Sequence, residues 1–332
     1  MSYRFFTIVL LLLFTGAAVS SVAIFDDNVA PTATPYKEDV GPHEVAIVKT
    51  WTLQDSERDK ELEIKLFFPT EKKKYPVVIV SHGLGGSKDG LDPWGEYLAS
   101  HGYVAIMPTH ADSLTIGIPI GLGGPNAWDN RVKDCVLIMD SLKKVRRKVP
   151  GLKGKIDRKK IGQMGHSYGA YTSQLISGVQ PRPLAKRYQF EDERPLGFIY
   201  LSGQGEDKKL RLVDGSWDGV DRPVLVMTGS LDAGRNGEDA EWRTTPYYEM
   251  PAGDKYLAWF DGAYHFTFSG KTEKRKFPEA DPEEMAELFS YIRMYALAFW
   301  DYYLKGDAEA GAYLTSGNLP LWSNGDAEIS FK

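Results

Sequence analysis

Residues Lys160–Leu175 read KIGQMGHSYGAYTSQL. An apolar run ends at Met164, a turn follows through Gly165-His166-Ser167-Tyr168-Gly169, and apolar residues then resume at helical spacing. A glycine-x-serine-x-glycine pattern carries little weight alone. With 33 glycines and 20 serines in 332 residues, roughly 0.2 matches arise by chance. Its setting gives it meaning. A strand that passes into a helix through such a turn is the layout of a nucleophile elbow, in which Ser167 stands proud of a sheet. Its neighbours must be small, because strand and helix backbones pass close on either side.

Outward from this point the chain alternates between strand and helix. Upstream, HEVAIVKTWTL and LEIKLFFP read as an edge hairpin, and YPVVIVSHG and YVAIMPTH as strands apolar enough to be buried on both faces. PWGEYLASHG reads as a short helix and NAWDNRVKDCVLIMDSLKKVRRK as a longer one. Downstream, PLGFIYLSG, PVLVMTGS and KYLAWFDG read as three further strands. The segment from Asp281 to Gly306 reads as a closing helix, with Asp281 as its N-cap. The expected fold class is α/β, with a mostly parallel central sheet flanked by helices on both faces. Two stretches, around 111–130 and 206–222, read as insertions over the rim of that sheet.

In such sheets the loops at the carboxyl ends of the strands carry the chemistry. A serine hydroxyl is a poor nucleophile at neutral pH and needs a base, which in turn needs an orienting acid. After VLVMTGS comes Asp232, and after YLAWFDG comes His265. Ser167, Asp232 and His265 thus follow successive strands in the order serine, acid, histidine. Asp261 sits only four residues before His265 and suits the acid's role less, and Asp218 falls in an insertion. His82, His101, His110 and His166 do not follow the acid. The expected oxyanion donors are the backbone N–H groups of Tyr168 and of Leu84, in SHGLGGS. Trp128, Tyr168 and Phe266 are candidates to line a substrate pocket, with core packing as the other reading. The glycines of GLGG have no Lys-Ser/Thr in P-loop spacing, and no residues have metal-ligand spacing, so no cofactor and no metal is expected.

The net charge of −5 gives no reason to expect a nucleic-acid partner. The N-terminus, MSYRFFTIVLLLLFTGAAVSSVA, has Arg4, an apolar run and then small residues. It reads as a signal peptide over 1–23, cleaved after Ser20 or Ala23, and an uncleaved anchor is the other reading. Residues 24–42 read as a linker or extended arm, and 43–332 as a single catalytic domain. The expected location is secreted or periplasmic, without stable membrane insertion after cleavage; the oligomeric state is left open. Cys135 is the one cysteine; it makes no intrachain disulfide and reads as a small core residue.

The blocks VVIVSHGLGGSKDGLDPWGEYLASHGYVAIMPTHADS and GHSYGAYTSQL resemble the α/β-hydrolase superfamily. Within it they are similar to the platelet-activating-factor acetylhydrolase and dienelactone-hydrolase-like group, over about His43 to Leu314. The resemblance implies a serine esterase acting on a small-molecule, lipid or polymer ester through an acyl-enzyme. Two departures matter. Dienelactone hydrolases carry a cysteine where this chain has Ser167. The animal platelet-activating-factor enzymes place their acid after the sixth strand, where this chain reads FIYLSGQGED, so Asp232 after the seventh is preferred. A phospholipid acetylhydrolase or a polyester hydrolase is the alternative, ahead of a peptidase or a non-catalytic binding protein.

Overall fold

The computed structural model describes residues 31–116, 125–183, 190–271 and 281–332. Those residues belong to one unit, Pro31–Lys332. The signal segment expected over 1–23 lies outside the described residues, as do 24–30 and part of the first insertion. Among the described residues no helix is long and apolar enough to cross a membrane.

Nine strands form one sheet: Val45–Asp55 (β1), Lys60–Pro69 (β2), Tyr75–Ser81 (β3), Val104–Pro108 (β4), Ile156–His166 (β5), Pro195–Leu201 (β6), Val224–Leu231 (β7), Lys255–Tyr264 (β8) and Ala327–Phe331 (β9). Their spatial order is β1-β2-β4-β3-β5-β6-β7-β8-β9. From β4 to β8 all neighbours are parallel, while β1 and β2 at one edge and β9 at the other pair antiparallel. The helices are Asp92–Ser100 (α1), Pro125–Lys148 (α2), Tyr168–Ser177 (α3), Thr245–Glu249 (α4), Pro282–Trp300 (α5), Ala308–Thr315 (α6) and Asn318–Trp322 (α7). This is the mostly parallel sheet, flanked by helices, that the alternating pattern predicts.

The continuous apolar runs have their cause in two cores. Along β3 every residue is buried. Val77 and Ile79 join one cluster with Trp128, Cys135 and Tyr171, from α2 and α3. Val78 and Val80 join the other with Trp94, Leu98, Ile292 and Trp300, from α1 and α5. Successive side chains of a strand point to opposite faces, so a strand covered on both sides must be apolar throughout. Each such aliphatic side chain contributes about 1.5–3 kcal/mol through burial.

The closing helix α5 starts at Asp281, whose side chain accepts from the N–H of Glu283 at 2.9 Å. It ends one turn earlier than the sequence pattern suggests, because residues Asp301–Lys305 widen into a π turn. That turn presents the buried Asp301 carboxylate to the segment expected to be an arm. Tyr36 Oη donates to it at 2.8 Å, Lys37 Nζ at 2.6 Å and Tyr103 Oη at 2.5 Å. Residues 31–42 are irregular in backbone, yet they are fastened to the body by these contacts.

Candidate active site

Strand β5 delivers Ser167 to the carboxyl edge of the sheet, and α3 begins at the next residue. Ser167 has φ 56° and ψ −118°, a left-handed conformation that an L-residue adopts at a cost of about 1–3 kcal/mol. The surroundings impose it. A Cβ on Gly165 would overlap the Gly169 backbone, and a Cβ on Gly169 would overlap the Ser81 carbonyl. The Ser167 N–H donates to the Leu201 carbonyl at 2.9 Å, and its hydroxyl does not cap α3.

Asp232 follows β7 and is fully buried. Its Oδ1 lies 2.8 Å from His265 Nδ1, and its Oδ2 accepts from Thr228 Oγ1 at 3.1 Å. His265 turns Nδ1 to this carboxylate, which leaves Nε2 as its other ring nitrogen. His265 is partly open and lines the same two clefts as Ser167. Asp232 and His265 are therefore brought into contact. Ser167 and His265 line the same clefts, and among the described residues no hydrogen bond joins the serine hydroxyl to the imidazole. Asp261 is engaged elsewhere, accepting from Ser230 Oγ at 2.6 Å.

Three further residues join this constellation, and two of them, Ser202 and Arg243, escape sequence reasoning. Ser202, at the end of β6, places its Oγ 2.6 Å from His265 Nδ1. His166, in the elbow, lies with Nε2 2.7 Å from the His265 carbonyl and so steadies that loop. Burial, reinforced by the neighbouring charge of His265, pushes the His166 pKa well below the ordinary histidine value. The third is Arg243, buried beneath both clefts. Its Nε lies 2.7 Å from the Asp232 carbonyl and 2.8 Å from Asp232 Oδ1. Its Nη1 donates to the carbonyls of Ser202 at 3.0 Å and Gly203 at 2.9 Å.

The glycine-rich loop after β3 is held from below by a second buried cation. Arg131, on α2, donates from Nη1 to the His82 carbonyl at 2.9 Å and from Nη2 to the Gly83 carbonyl at 3.3 Å. Asp112 binds Arg131 at 2.7 Å and accepts from the Gly85 N–H at 3.3 Å. Burial disfavours the Asp112 carboxylate, yet the charge and hydrogen bonds of Arg131 outweigh it and hold the pKa at about 2. Under the same loop, burial and the Arg131 charge push the His82 and His110 pKa values down. Among the described residues, the N–H groups of Leu84 and Tyr168 donate to no acceptor within the chain. Leu84 lines both clefts and Tyr168 the smaller one.

The larger cleft has a volume of about 530 Å³ and the smaller about 240 Å³. Phe266 lines the larger one, edge-on to His265 with ring centres 5.4 Å apart. Trp128 is placed differently. It lies in the core beside Tyr171, ring centres 5.7 Å apart, and lines neither cleft. On α2 it occupies the face that packs against α3, so of the two readings open for it the structure takes core packing.

The family model for platelet-activating factor acetylhydrolase, isoform II, matches residues 48–117, from within β1 to beyond β4, with the glycine-rich loop between them. Cutinase 1 of Thermobifida cellulosilytica is 25% identical over 203 residues, 60% of this chain and 64% of that protein. The cutinase of Thermobifida fusca (strain YX) is 25% identical over 60% of this chain and 56% of its own length. Platelet-activating factor acetylhydrolase of Cavia porcellus is 27% identical over 135 residues, 30% of this chain and 31% of that protein. The fold is α/β-hydrolase-like. As an α/β-hydrolase-like chain it is related, at low to moderate identity, to the platelet-activating-factor acetylhydrolases and the cutinases. It spans less than two thirds of the length of those relatives.

Proposed function

We propose that the protein is a serine esterase that cleaves carboxylic esters through Ser167, His265 and Asp232. The observation that carries this reading is the Asp232–His265 contact at 2.8 Å, in a cleft shared with a serine on a strained strand-to-helix turn. His265 Nε2 takes the Ser167 Oγ proton as Oγ bonds to the ester carbonyl carbon. Asp232 stabilises the imidazolium, and the carbonyl oxygen, now negative, is met by the N–H groups of Leu84 and Tyr168. As the tetrahedral centre collapses, the carbon–oxygen bond to the alcohol breaks and the imidazolium proton goes to that alcohol. Water, giving its proton to His265, then attacks the acyl-enzyme, releasing the acid and returning the proton to Ser167. A serine–histidine hydrogen bond that closes on substrate binding is usual for such sites.

The similarities favour lipid or polymer esters as substrates, and the signal-like sequence over 1–23 favours a secreted or periplasmic location. A fluorophosphonate is expected to label Ser167 stoichiometrically. Ser167→Ala is expected to lose about 10⁴-fold or more in kcat on p-nitrophenyl acetate. A folded protein that stays unlabelled and inert, or a Ser167→Ala variant that keeps its activity, refutes the reading. A panel of acetyl to palmitoyl esters, a phospholipid, a polyester and a peptide then separates the substrate classes.

A further inference from the structure

The walls of the two clefts are not neutral. Among the described residues, Arg235, Arg243 and Lys271 line the larger one, and no carboxylate does. Among them too, Lys209, Arg235 and Arg243 line the smaller one, with Asp207 as its single carboxylate. The Arg243 charge is answered by Asp232 at 2.8 Å. Arg235 and Lys271 have no such answer: among the described residues neither side chain has an ion-pair or hydrogen-bond partner. Lys209 meets only a neutral acceptor, Asn236 Oδ1 at 3.0 Å.

The nearby carboxylates are committed to their own backbone turns. Glu238 accepts from the N–H and the side-chain amide of Asn236, both at 2.9 Å. Asp207 accepts from the N–H groups of Lys209 at 2.6 Å and Leu210 at 3.0 Å. The loop after β7 is thus folded so that Glu238 serves the turn and Arg235 borders the cleft. In a chain of net charge −5, cations with no carboxylate partner among the described residues gather at the mouth of the cleft that holds Ser167. A concave wall of one sign raises the local concentration of the opposite one.

We propose that the ester taken by this cleft carries an anionic group, a carboxylate or phosphate, held by Arg235 and Lys271 while Ser167 attacks the ester carbon. This rests on Ser167 being the nucleophile. A guanidinium pairs with carboxylate and phosphate alike through two parallel hydrogen bonds, so the shared chemistry is the oxyanion.

The test compares kcat/KM for matched anionic and neutral esters. The pairs are 4-nitrophenyl hydrogen adipate with 4-nitrophenyl hexanoate, 4-acetoxybenzoate with its methyl ester, and 4-acetoxyphenyl phosphate with that same methyl ester. The first places the charge on the acyl side, and the others place a carboxylate or a phosphate on the leaving side. In the Arg235→Ala/Lys271→Ala double variant the anionic-to-neutral ratio is expected to fall about tenfold in at least one pair. Arg235→Glu is expected to lower it further, and rising salt to erode it in the wild type. Arg147→Ala/Lys148→Ala, an equal loss of charge at the far end of α2, is the control and leaves the ratio in place. The pair that responds identifies which oxyanion is read and from which side. If all three ratios stay within twofold while fluorophosphonate still labels Ser167, the anion inference is wrong and the esterase reading stands. If Ser167 is unlabelled, both are wrong.

Discussion

A methyl group on Gly169 would have to share space with the Ser81 carbonyl oxygen, and one on Gly165 with the Gly169 backbone. Neither obstacle is a side-chain tip that can swing aside, so Gly169→Ala must push β3, β5 and α3 apart where they meet. The variant is expected to lose about 1–3 kcal/mol of stability, read as a lowered Tm. Its kcat should fall with it, because the φ of Ser167 depends on that contact. These glycines were legible in the sequence because the constraint is local, and so were Asp232 and His265, each directly after its own strand. Ser202 and Arg243 were not. A serine at a strand end and an arginine in EWRT look ordinary until the sheet closes and brings three loops together. Trp128 stood equally open to pocket or core, since which face of α2 packs on α3 is settled only by their crossing.

The strand ends of β6 and β7 carry Ser202 and Asp232, the two side chains that meet His265 Nδ1. Arg243 ties them, reaching the carbonyls of Ser202 and Gly203 on one and of Asp232 on the other. Arg243→Met keeps the bulk and removes the tie and the charge. We expect kcat/KM to drop about 10- to 100-fold, as small displacements of a reacting group do. A merely structural role for Arg243 would lower stability and leave kcat/KM of the folded variant in place. At this scale the parallel strands and long helices were plain from their periodicity. Strand β9 was not, because AEISF is short, half polar and defined only by its pairing with β8.

Over the whole molecule, four of the six histidines have lowered pKa values, chiefly through burial: His82, His110 and His166 by direction, and His101 down to about 4. The folded state keeps them neutral where the unfolded chain, titrating near 6.5, takes up protons. Their contribution is therefore complete above about pH 6.5 and lost as pH falls toward the folded values. Each proton gained on unfolding steepens the loss by about 1.4 kcal/mol per pH unit. Urea unfolding at pH 7.5, 6 and 5 should show stability dropping steeply over the acid half of that range. A flat profile would mean that these imidazoles are already charged in the native state.

Cys135 packs under the sheet, with its Sγ 3.5 Å from Ser81 Oγ, and burial raises its pKa to about 12. At neutral pH it stays a protonated thiol, out of reach of alkylating reagents. The protein is therefore its own cysteine-free background for chemical labelling. A single cysteine introduced at Leu114, 67% exposed on the rim of the larger cleft, would take a maleimide fluorophore or a spin label alone. Substrate arriving beside Ser167 would then have a reporter on its doorstep, with no other accessible thiol to confuse the signal.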